Sequence, residues 1–141
     1  MASKGTIGFI VKDVPDAFRD RTRLRRWLSR VAQDHGTRID AVSFVLMDDK
    51  GLLHYNSTFL QHDDYTDVIT FPVESNNGVS GDVLMSYDRI RENAATFKVS
   101  AQQELRRVMV HGLLHLLGHT DKSKAKREAM RAQEDLFLAR Y

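Results

Sequence analysis

Apolar residues in the first part of the chain follow two different periods. Residues 6–12 (TIGFIVK) and 39–49 (IDAVSFVLMDD) carry the apolar patterns that are typical of strands. Between them, residues 16–36 repeat apolar positions at helical spacing and close on a glycine, which favours a helix with a C-terminal stop. Residues 48–51 (DDKG) predict a hairpin turn, and residues 52–56 (LLHYN) predict its return strand.

The middle of the chain is predicted to hold two more strands and a helix. Residues 57–65 fit a short helix or a loop. Residues 66–73 (TDVITFPV) are rich in β-branched and aromatic side chains, which indicates a strand. Residues 81–87 (GDVLMSY) form a further apolar run and are also predicted to be a strand, followed by a helix over 88–97.

Helices dominate the last third of the chain. Ser100, with Gln103 three residues later, forms the capping box that predicts the start of a helix, and Gly118 predicts its end. Residues 123–141 then form an amphipathic helix. Because most strands precede most helices, we predict an α+β fold with a single mixed β-sheet and helices packed on it.

Composition narrows the class of protein. The chain has 141 residues, of which 42% are hydrophobic and 28% charged, and this fits one soluble domain spanning residues 1–141. It holds no apolar run of membrane-spanning length and no signal-peptide pattern, so we expect a cytoplasmic protein without a membrane partner. Cysteine is absent, which excludes disulfides and thiolate metal sites and leaves His, Asp and Glu as the strong metal ligands.

Candidate chemistry is concentrated in residues 111–121 (HGLLHLLGHTD). His111 and His115 are four residues apart, which places both imidazoles on one face of a helix, close enough to bind one ion. Gly118 can turn the chain back under the helix, and zinc enzymes with this spacing take a third ligand three residues later. That position is Asp121, an acceptable zinc ligand. Three protein ligands leave one coordination position open, which is typical of a catalytic metal site.

Each part of this motif also has an ordinary structural explanation. The two histidines can be half-buried core residues, and Gly118 can be a plain helix C-cap. Asp121 can be the N-cap of the last helix, a position for which Thr120 and Ser123 compete. The combination at the required spacing favours the metal site. Spacing also favours Asp121 over His119 as the third ligand, although a contribution from His119 stays open.

The residue after the first histidine bears on the reaction. Zinc peptidases of the H-E-x-x-H type carry a glutamate there as general base, whereas this chain has Gly112. Peptide hydrolysis would need a base from elsewhere, and this disfavours a peptidase.

The motif HGLLHLLGHTD, together with LHYN, TDVITFP and GDVLMS upstream, resembles the YbeY family of bacterial metal-dependent endoribonucleases. The resemblance covers nearly the whole chain in the same order. It implies an α+β fold, a zinc-like ion, and a cytoplasmic role in ribosomal RNA maturation and ribosome quality control. The family's metal-ligand positions fall on His111, His115 and Asp121.

The chain departs from the common family pattern in three places. The family usually has histidine at the position of Asp121, and tyrosine followed by aspartate at the positions of His119 and Thr120. It usually has an arginine six residues before the TDV strand, where this chain has Leu60. If that arginine contacts phosphate, the contact is missing here or comes from another residue. The candidates are His62, Lys98 and Arg106.

Two further sets of residues are candidates for roles near the ion. Thr66 and Asp67, at the head of their predicted strand, are the candidate catalytic or pocket-lining residues, although they can equally begin a strand or cap a turn. Asp67 can orient a ligand histidine by accepting its second N–H. Asp63 and Asp64, with His62, are expected in a solvated loop.

Two basic groups are candidates for contacts with RNA phosphates, although such residues usually form a solvated helix face. They are Arg19, Arg21, Arg23, Arg25, Arg26 and Arg30 on the first helix, and Lys122, Lys124, Lys126, Arg127 and Arg131 after the motif.

We therefore predict a single-strand-type endoribonuclease that uses one zinc ion (Zn2+) per chain. Its expected partner is ribosomal RNA or the small ribosomal subunit, without a nucleotide cofactor, and its oligomeric state is left open. One alternative is a non-catalytic ribosome-assembly factor that binds RNA and holds a structural metal, which Leu60 favours. Another is a metallopeptidase-like hydrolase, which Gly112 disfavours.

Overall fold

Four strands form one mixed sheet in residues 5–60 and 66–141, which are the residues that the computed structural model describes. The strands are β1 (Thr6–Val11), β2 (Ile39–Met47), β3 (Val68–Val73) and β4 (Val79–Ser86). Their order across the sheet is β1-β2-β4-β3. The first three strands in this order are parallel, and β3 runs antiparallel to β4 at the edge.

Five helices complete the fold within the same residue ranges. They are α1 (Arg21–Asp34), α2 (Asp49–Leu60), α3 (Tyr87–Phe97), α4 (Ala101–Leu116) and α5 (Lys124–Leu138). The predicted α+β class, with a single mixed sheet and helices packed on it, is confirmed. None of the helices in the described ranges is both long enough and apolar enough to span a membrane.

Strand β2 is buried on both faces, because successive side chains of a strand point to opposite sides of the sheet. Phe44 and Leu46 join the main core with α1, α3, α4 and α5, whereas Val45 and Met47 join a smaller core with Leu52 of α2. The buried side chain of Leu52 and the main core therefore pack against opposite faces of the sheet, while the start of α2 contacts α3 through the bond from Arg89 to Asp49. This also explains why the second half of β2, residues 44–47, is continuously apolar and buried instead of alternating.

The hairpin predicted for residues 48–56 is wrong, since residues 49–60 form α2. Both edges of β2 are already occupied, by β1 and by β4, so no edge remains for a return strand. The side chain of Asp48 accepts a hydrogen bond from the backbone N–H of Gly51 at 2.7 Å, which is N-cap geometry. Leu52 and Asn56, four residues apart, are the buried residues of the helix.

Other element boundaries differ from the predicted ones by a few residues. Helix α1 begins at Arg21, after the N-cap Asp20, instead of near residue 16. It ends as predicted, with Gly36 at a φ of 73° just past its C-cap. Strand β4 begins at Val79, two residues before its predicted start.

Close approach of α4 to β4 fixes the position of the candidate site. Gly112 is buried and faces Val83, and a Cβ added at Gly112 would overlap the Val83 side chain. Packing against Val83 therefore explains why the residue after His111 is a glycine. A larger side chain at this position would point into the sheet instead of towards the histidines.

We expect Gly112→Ala to lower the free energy of unfolding by about 1–3 kcal/mol, the usual range for overpacking a core, even though alanine is the better helix former. Urea denaturation monitored by circular dichroism measures the change. Gly8→Ala is the matched control, because a Cβ there lies 3.6 Å from Ser43 Oγ, an ordinary contact. Equal stability of Gly112→Ala and wild type would show that α4 does not need this glycine.

Candidate metal centre

The two histidines of the motif lie in the last two turns of α4. The helix starts where predicted, since the Ser100 side chain accepts a hydrogen bond from the backbone N–H of Gln103 at 3.0 Å. Eleven residues later the imidazoles of His111 and His115 face each other, with their Nε2 atoms 3.0 Å apart. The predicted i, i+4 geometry is therefore present.

The turn after α4 is a Schellman motif centred on Gly118. The backbone N–H of Gly118 donates to the carbonyl of His115, and that of His119 donates to the carbonyl of Leu114, both at 3.0 Å. Gly118 has a φ of 103°, a conformation that side-chain-bearing residues rarely adopt. The chain therefore reverses at this glycine, as predicted, and Asp121 returns to the side of the helix that carries the histidines.

Asp121 Oδ2 completes a group of three metal-binding atoms. It lies 3.7 Å from His111 Nε2 and 3.5 Å from His115 Nε2. A point equidistant from atoms separated by 3.0, 3.7 and 3.5 Å lies about 2.0 Å from each in their plane, and zinc binds imidazole nitrogen and carboxylate oxygen at about 2.0–2.2 Å. The residues present therefore fit a single zinc-like ion.

Two competing interpretations of the motif are resolved by neighbouring hydrogen bonds. Ser123 is the N-cap of α5, accepting from the backbone N–H of Lys126 at 3.1 Å, so Asp121 is not needed for that position. His119 turns away from the group. Its Nε2 lies 2.8 Å from Nε2 of His35, at the end of α1.

Helix α5 contributes a residue that sequence reasoning missed. His111 Nδ1 donates a hydrogen bond to Glu134 Oε2 at 2.7 Å. With the proton on Nδ1, the lone pair of Nε2 points to the candidate ion position, as in carboxylate–histidine–zinc arrangements. The sequence holds a weak signal for this role. Glu134 lies four residues after Met130 and three before Phe137, on the otherwise apolar buried face of the last helix.

Glu134 is itself held in place by a buried ion pair. Its Oε1 accepts a hydrogen bond from Arg107 Nη1 at 2.9 Å, and Arg107 Nη2 donates to Asp135 at 2.7 Å. The side chain of Glu134 is 7% exposed, so water competes little for these bonds. Arg107 lies one helical turn before His111 on α4, which ties the two helices together at the site.

The two imidazoles differ in basicity. Burial lowers the pKa of His111, but the hydrogen bond and the charge of Glu134 outweigh burial, so its pKa is raised overall. Burial lowers the pKa of His115, and the charge of His111 lowers it further, against the opposing charge of Asp121. A proton is therefore held more tightly by His111 than by His115.

Thr66 and Asp67 lie just before β3, which begins at Val68 instead of at the predicted residue 66, and they line one cavity with the three candidate ligands. The cavity has a volume of about 470 Å³. Burial raises the pKa of Asp67, with the charge of His111 opposing. The hydrogen bond predicted from Asp67 to a ligand histidine is formed at His111 by Glu134 instead.

Two other residues of this cavity come from α2. Asn56 is buried and Leu60 lies nearby, so the LHYN segment reaches the site as part of a helix. Leu60 occupies the position at which the resemblance leads us to expect an arginine. The remaining predicted members of this region, His62, Asp63 and Asp64, lie outside the described residues.

The two predicted basic groups differ in their contacts and in their position relative to the candidate ligands. In the first group, Arg21 pairs with Asp16, Arg23 contacts the carbonyl of Tyr141, and Arg25 donates to the carbonyl of Ile7. The second group begins next to Asp121, and all five of its residues are exposed: Lys122, Lys124, Lys126, Arg127 and Arg131.

The chain is similar to known proteins in both sequence and structure. A family model described as Endoribonuclease YbeY matches residues 12–141. The Endoribonuclease YbeY of Cytophaga hutchinsonii is 39% identical over 135 residues, covering 95% of this chain and 94% of the relative. That of Parabacteroides distasonis is 36% identical over 133 residues, covering 94% of each chain. That of Phocaeicola vulgatus is 41% identical over 113 residues, 80% of this chain and 82% of the relative.

The solution structure of TM1509 from Thermotoga maritima has a similar fold. It is 22% identical in sequence, with a TM-score of 0.68, and the match covers 94% of this chain and 87% of that one.

We expect Glu134→Gln to weaken zinc binding by about 10–100-fold, the usual effect of removing the outer hydrogen-bond partner of a ligand histidine. The glutamine no longer carries the charge that favours a proton on His111 Nδ1. Competition with a chromophoric zinc chelator measures the affinity without reference to any catalytic activity.

Asp135→Asn is the matched control for this prediction. It removes a carboxylate from the neighbouring position, where the side chain is 59% exposed and contacts Arg107 but not His111. Its zinc affinity is expected to stay within a few-fold of wild type, a shift of well under about 1.4 kcal/mol. An equal loss in both variants would contradict a specific role for the Glu134 hydrogen bond.

Proposed function

The chain belongs to the endoribonuclease YbeY family, and on that premise we propose that it is a metal-dependent endoribonuclease acting on single-stranded ribosomal RNA. The proposal extends to zinc as the ion, with His111, His115 and Asp121 as its ligands. The observation that carries it is the convergence of these three side chains on one open cavity that also contains Thr66 and Asp67.

The donor set suits phosphodiester cleavage. A bound zinc ion supplies a Lewis acid that stabilises negative charge on a phosphoryl oxygen and lowers the pKa of water. The protein's own side chains would supply the rest. Asp67, which lines the cavity, would accept a proton, and the Thr66 hydroxyl, which donates to the carbonyl of Val68 at 3.4 Å, would turn to donate to a phosphate oxygen. Neither assignment requires a residue outside the described cavity.

Charge outside the cavity also supports an RNA substrate. The exposed basic residues that follow Asp121 lie beside the candidate ligands, and phosphate contacts of this type hold RNA without reading its sequence. The formal net charge of +2 is compatible with a polyanionic partner. We propose that this surface directs the strand towards the cavity.

The biological setting follows from the family and is part of the same proposal. We propose that the chain functions as one domain over residues 1–141, in the cytoplasm, in ribosomal RNA maturation and ribosome quality control. Its partner would be ribosomal RNA, free or in the small ribosomal subunit.

One observation favours a second candidate function. Leu60 stands in the cavity where the family resemblance leads us to expect an arginine, and a leucine cannot bind phosphate. A non-catalytic RNA-binding factor with a structural metal would tolerate this substitution. A peptidase has less support, because position 112 faces Val83 of the sheet and cannot present a base to the site.

We expect the purified protein to cleave single-stranded ribosomal RNA fragments, and we expect Asp67→Asn to slow cleavage by about 10²–10⁴-fold, the usual contribution of a positioned acid or base. Asp67→Asn should retain its ion, whereas His115→Ala should lose both the ion and the cleavage. Gel analysis of a labelled RNA, with elemental analysis of each protein, measures both quantities.

Asp13→Asn is the matched control for the change of carboxylate to amide. Asp13 is exposed and has a φ of 59°, a conformation that asparagine also adopts readily. RNA binding without cleavage by the wild type would support the non-catalytic candidate. Cleavage of casein that depends on His115 would contradict the proposed substrate class.

A further inference from the structure

A second cavity of about 320 Å³ adjoins the candidate metal centre along α4. It shares His111, Asp121, Asp67 and Glu134 with the region already described. Its remaining lining comes from α3, α4 and α5 and has no role in the proposed cleavage step. The side chains that distinguish it are Asn93, Phe97, Glu104, Arg107, Val108 and Arg131.

Glu104 is the unusual member of this lining. The residue is 4% exposed and lines the cavity. Its carboxylate is not among the fully buried groups that lack a partner, so its oxygens are reached from the cavity, and among the described residues they form no hydrogen bond or ion pair. Burial raises its pKa, with the charge of Arg107 opposing. A carboxylate that faces a cavity and receives no donor from the protein is free to accept hydrogen bonds from a ligand that offers N–H groups there.

The position of Glu104 excludes a second catalytic metal ion in this cavity and favours contact with a nucleobase. Glu104 precedes His111 by seven residues on the same helix, a separation of about 10 Å along the axis. Paired ions in two-metal sites lie about 3.5–4 Å apart, so Glu104 cannot hold a catalytic partner ion. A separation of this size is comparable to the reach from a phosphate to the pairing edge of an attached base.

The lining of the cavity also includes an aromatic side chain, Phe97. Phe97, the last residue of α3, is 52% exposed, and the guanidinium of Arg131 lies 5.8 Å from its ring centre. An exposed phenylalanine beside a guanidinium is a surface on which an unpaired base can stack. Asn93, one turn earlier on α3, adds an amide that can both donate and accept.

We propose that this cavity is a nucleobase subsite, in which Glu104 accepts hydrogen bonds from an unpaired base that stacks on Phe97. The inference rests on the proposed function, since it assigns the base next to the cleaved phosphate. Guanine is the favoured base, because its adjacent N1–H and N2–H groups match the two oxygens of a carboxylate. Adenine and cytosine offer one amino group, and uracil presents its single N–H between two carbonyls that the carboxylate repels.

Four RNA decamers test the proposal, each uridine throughout except for one central guanine, adenine, cytosine or uridine. Their 2′-O-methyl forms measure binding by fluorescence anisotropy, and their unmodified forms measure the position of cleavage. We expect the wild type to bind the guanine oligomer about tenfold more tightly than the all-uridine oligomer, as for one bidentate base contact. Cleavage should occur within one nucleotide of the guanine.

Two variants separate the two contacts. Glu104→Gln should reduce the tenfold preference to about twofold or less while binding the all-uridine oligomer as wild type does, since it keeps the side-chain volume but loses one acceptor. Phe97→Ala should weaken all four oligomers by a similar factor of about tenfold, because every base can stack. Glu74→Gln, on an exposed carboxylate in the loop after β3, is the matched control and should change nothing.

A wild type that binds and cleaves all four RNAs without preference, or a preference that Glu104→Gln leaves intact, would overturn the subsite but not the proposed function. Zinc content and thermal unfolding of Glu104→Gln, expected at wild-type values, show that the variant is folded and loaded. A second ion per chain that is lost in Glu104→Gln would identify a cation site and overturn the base assignment. Failure to bind or cleave any RNA would overturn both proposals.

Discussion

The reversal of the chain at Gly118 is the constraint on which the candidate site depends. Two histidines on a helix supply only two donors, and a third must come from a segment that folds back beside them. The Schellman hydrogen bonds and the positive φ of Gly118 return Asp121 to within 3.7 Å of both imidazoles. The same reversal starts α5 in the direction that brings Glu134 against His111. One turn therefore determines both the third donor and the partner that orients the first.

Helix α4 organises the rest of the site through its spacing. Glu104, Arg107, His111 and His115 lie along one side of the helix, at intervals of three or four residues. Gly112, on another face, allows the helix to approach β4 closely. Three features therefore follow one another along α4: the proposed nucleobase subsite, the ion pair that holds Glu134, and the two histidines of the candidate metal centre. The residues on α4 therefore keep their mutual geometry through the helix, whereas Asp121 depends on the turn at Gly118.

Local signals in the sequence were sufficient to predict the helix and turn that carry the candidate ligands, but not the conformation of the LLHYN segment or the contact of Glu134. The i, i+4 histidines, the cap at Ser100 and the turn at Gly118 depend on residues within one or two helical turns, so spacing alone predicts them. The strand predicted for the LLHYN segment is wrong because its conformation depends on which strands flank β2. Strand β4, from a distant part of the chain, occupies the edge of β2 that the segment would have needed. Glu134 lies 23 residues from His111. Its contact depends on how two helices pack, which no local pattern encodes.

X-ray absorption at the edge of the ion found in the protein purified without added metal tests the central claim most directly. We predict one zinc-like ion per chain, bound by two imidazole nitrogens and at least one oxygen at about 2.0–2.2 Å. In Asp121→His, a third imidazole should replace one of the oxygens. A wild-type spectrum with three imidazoles would assign His119 as a ligand, and a protein that binds no ion would contradict the account altogether.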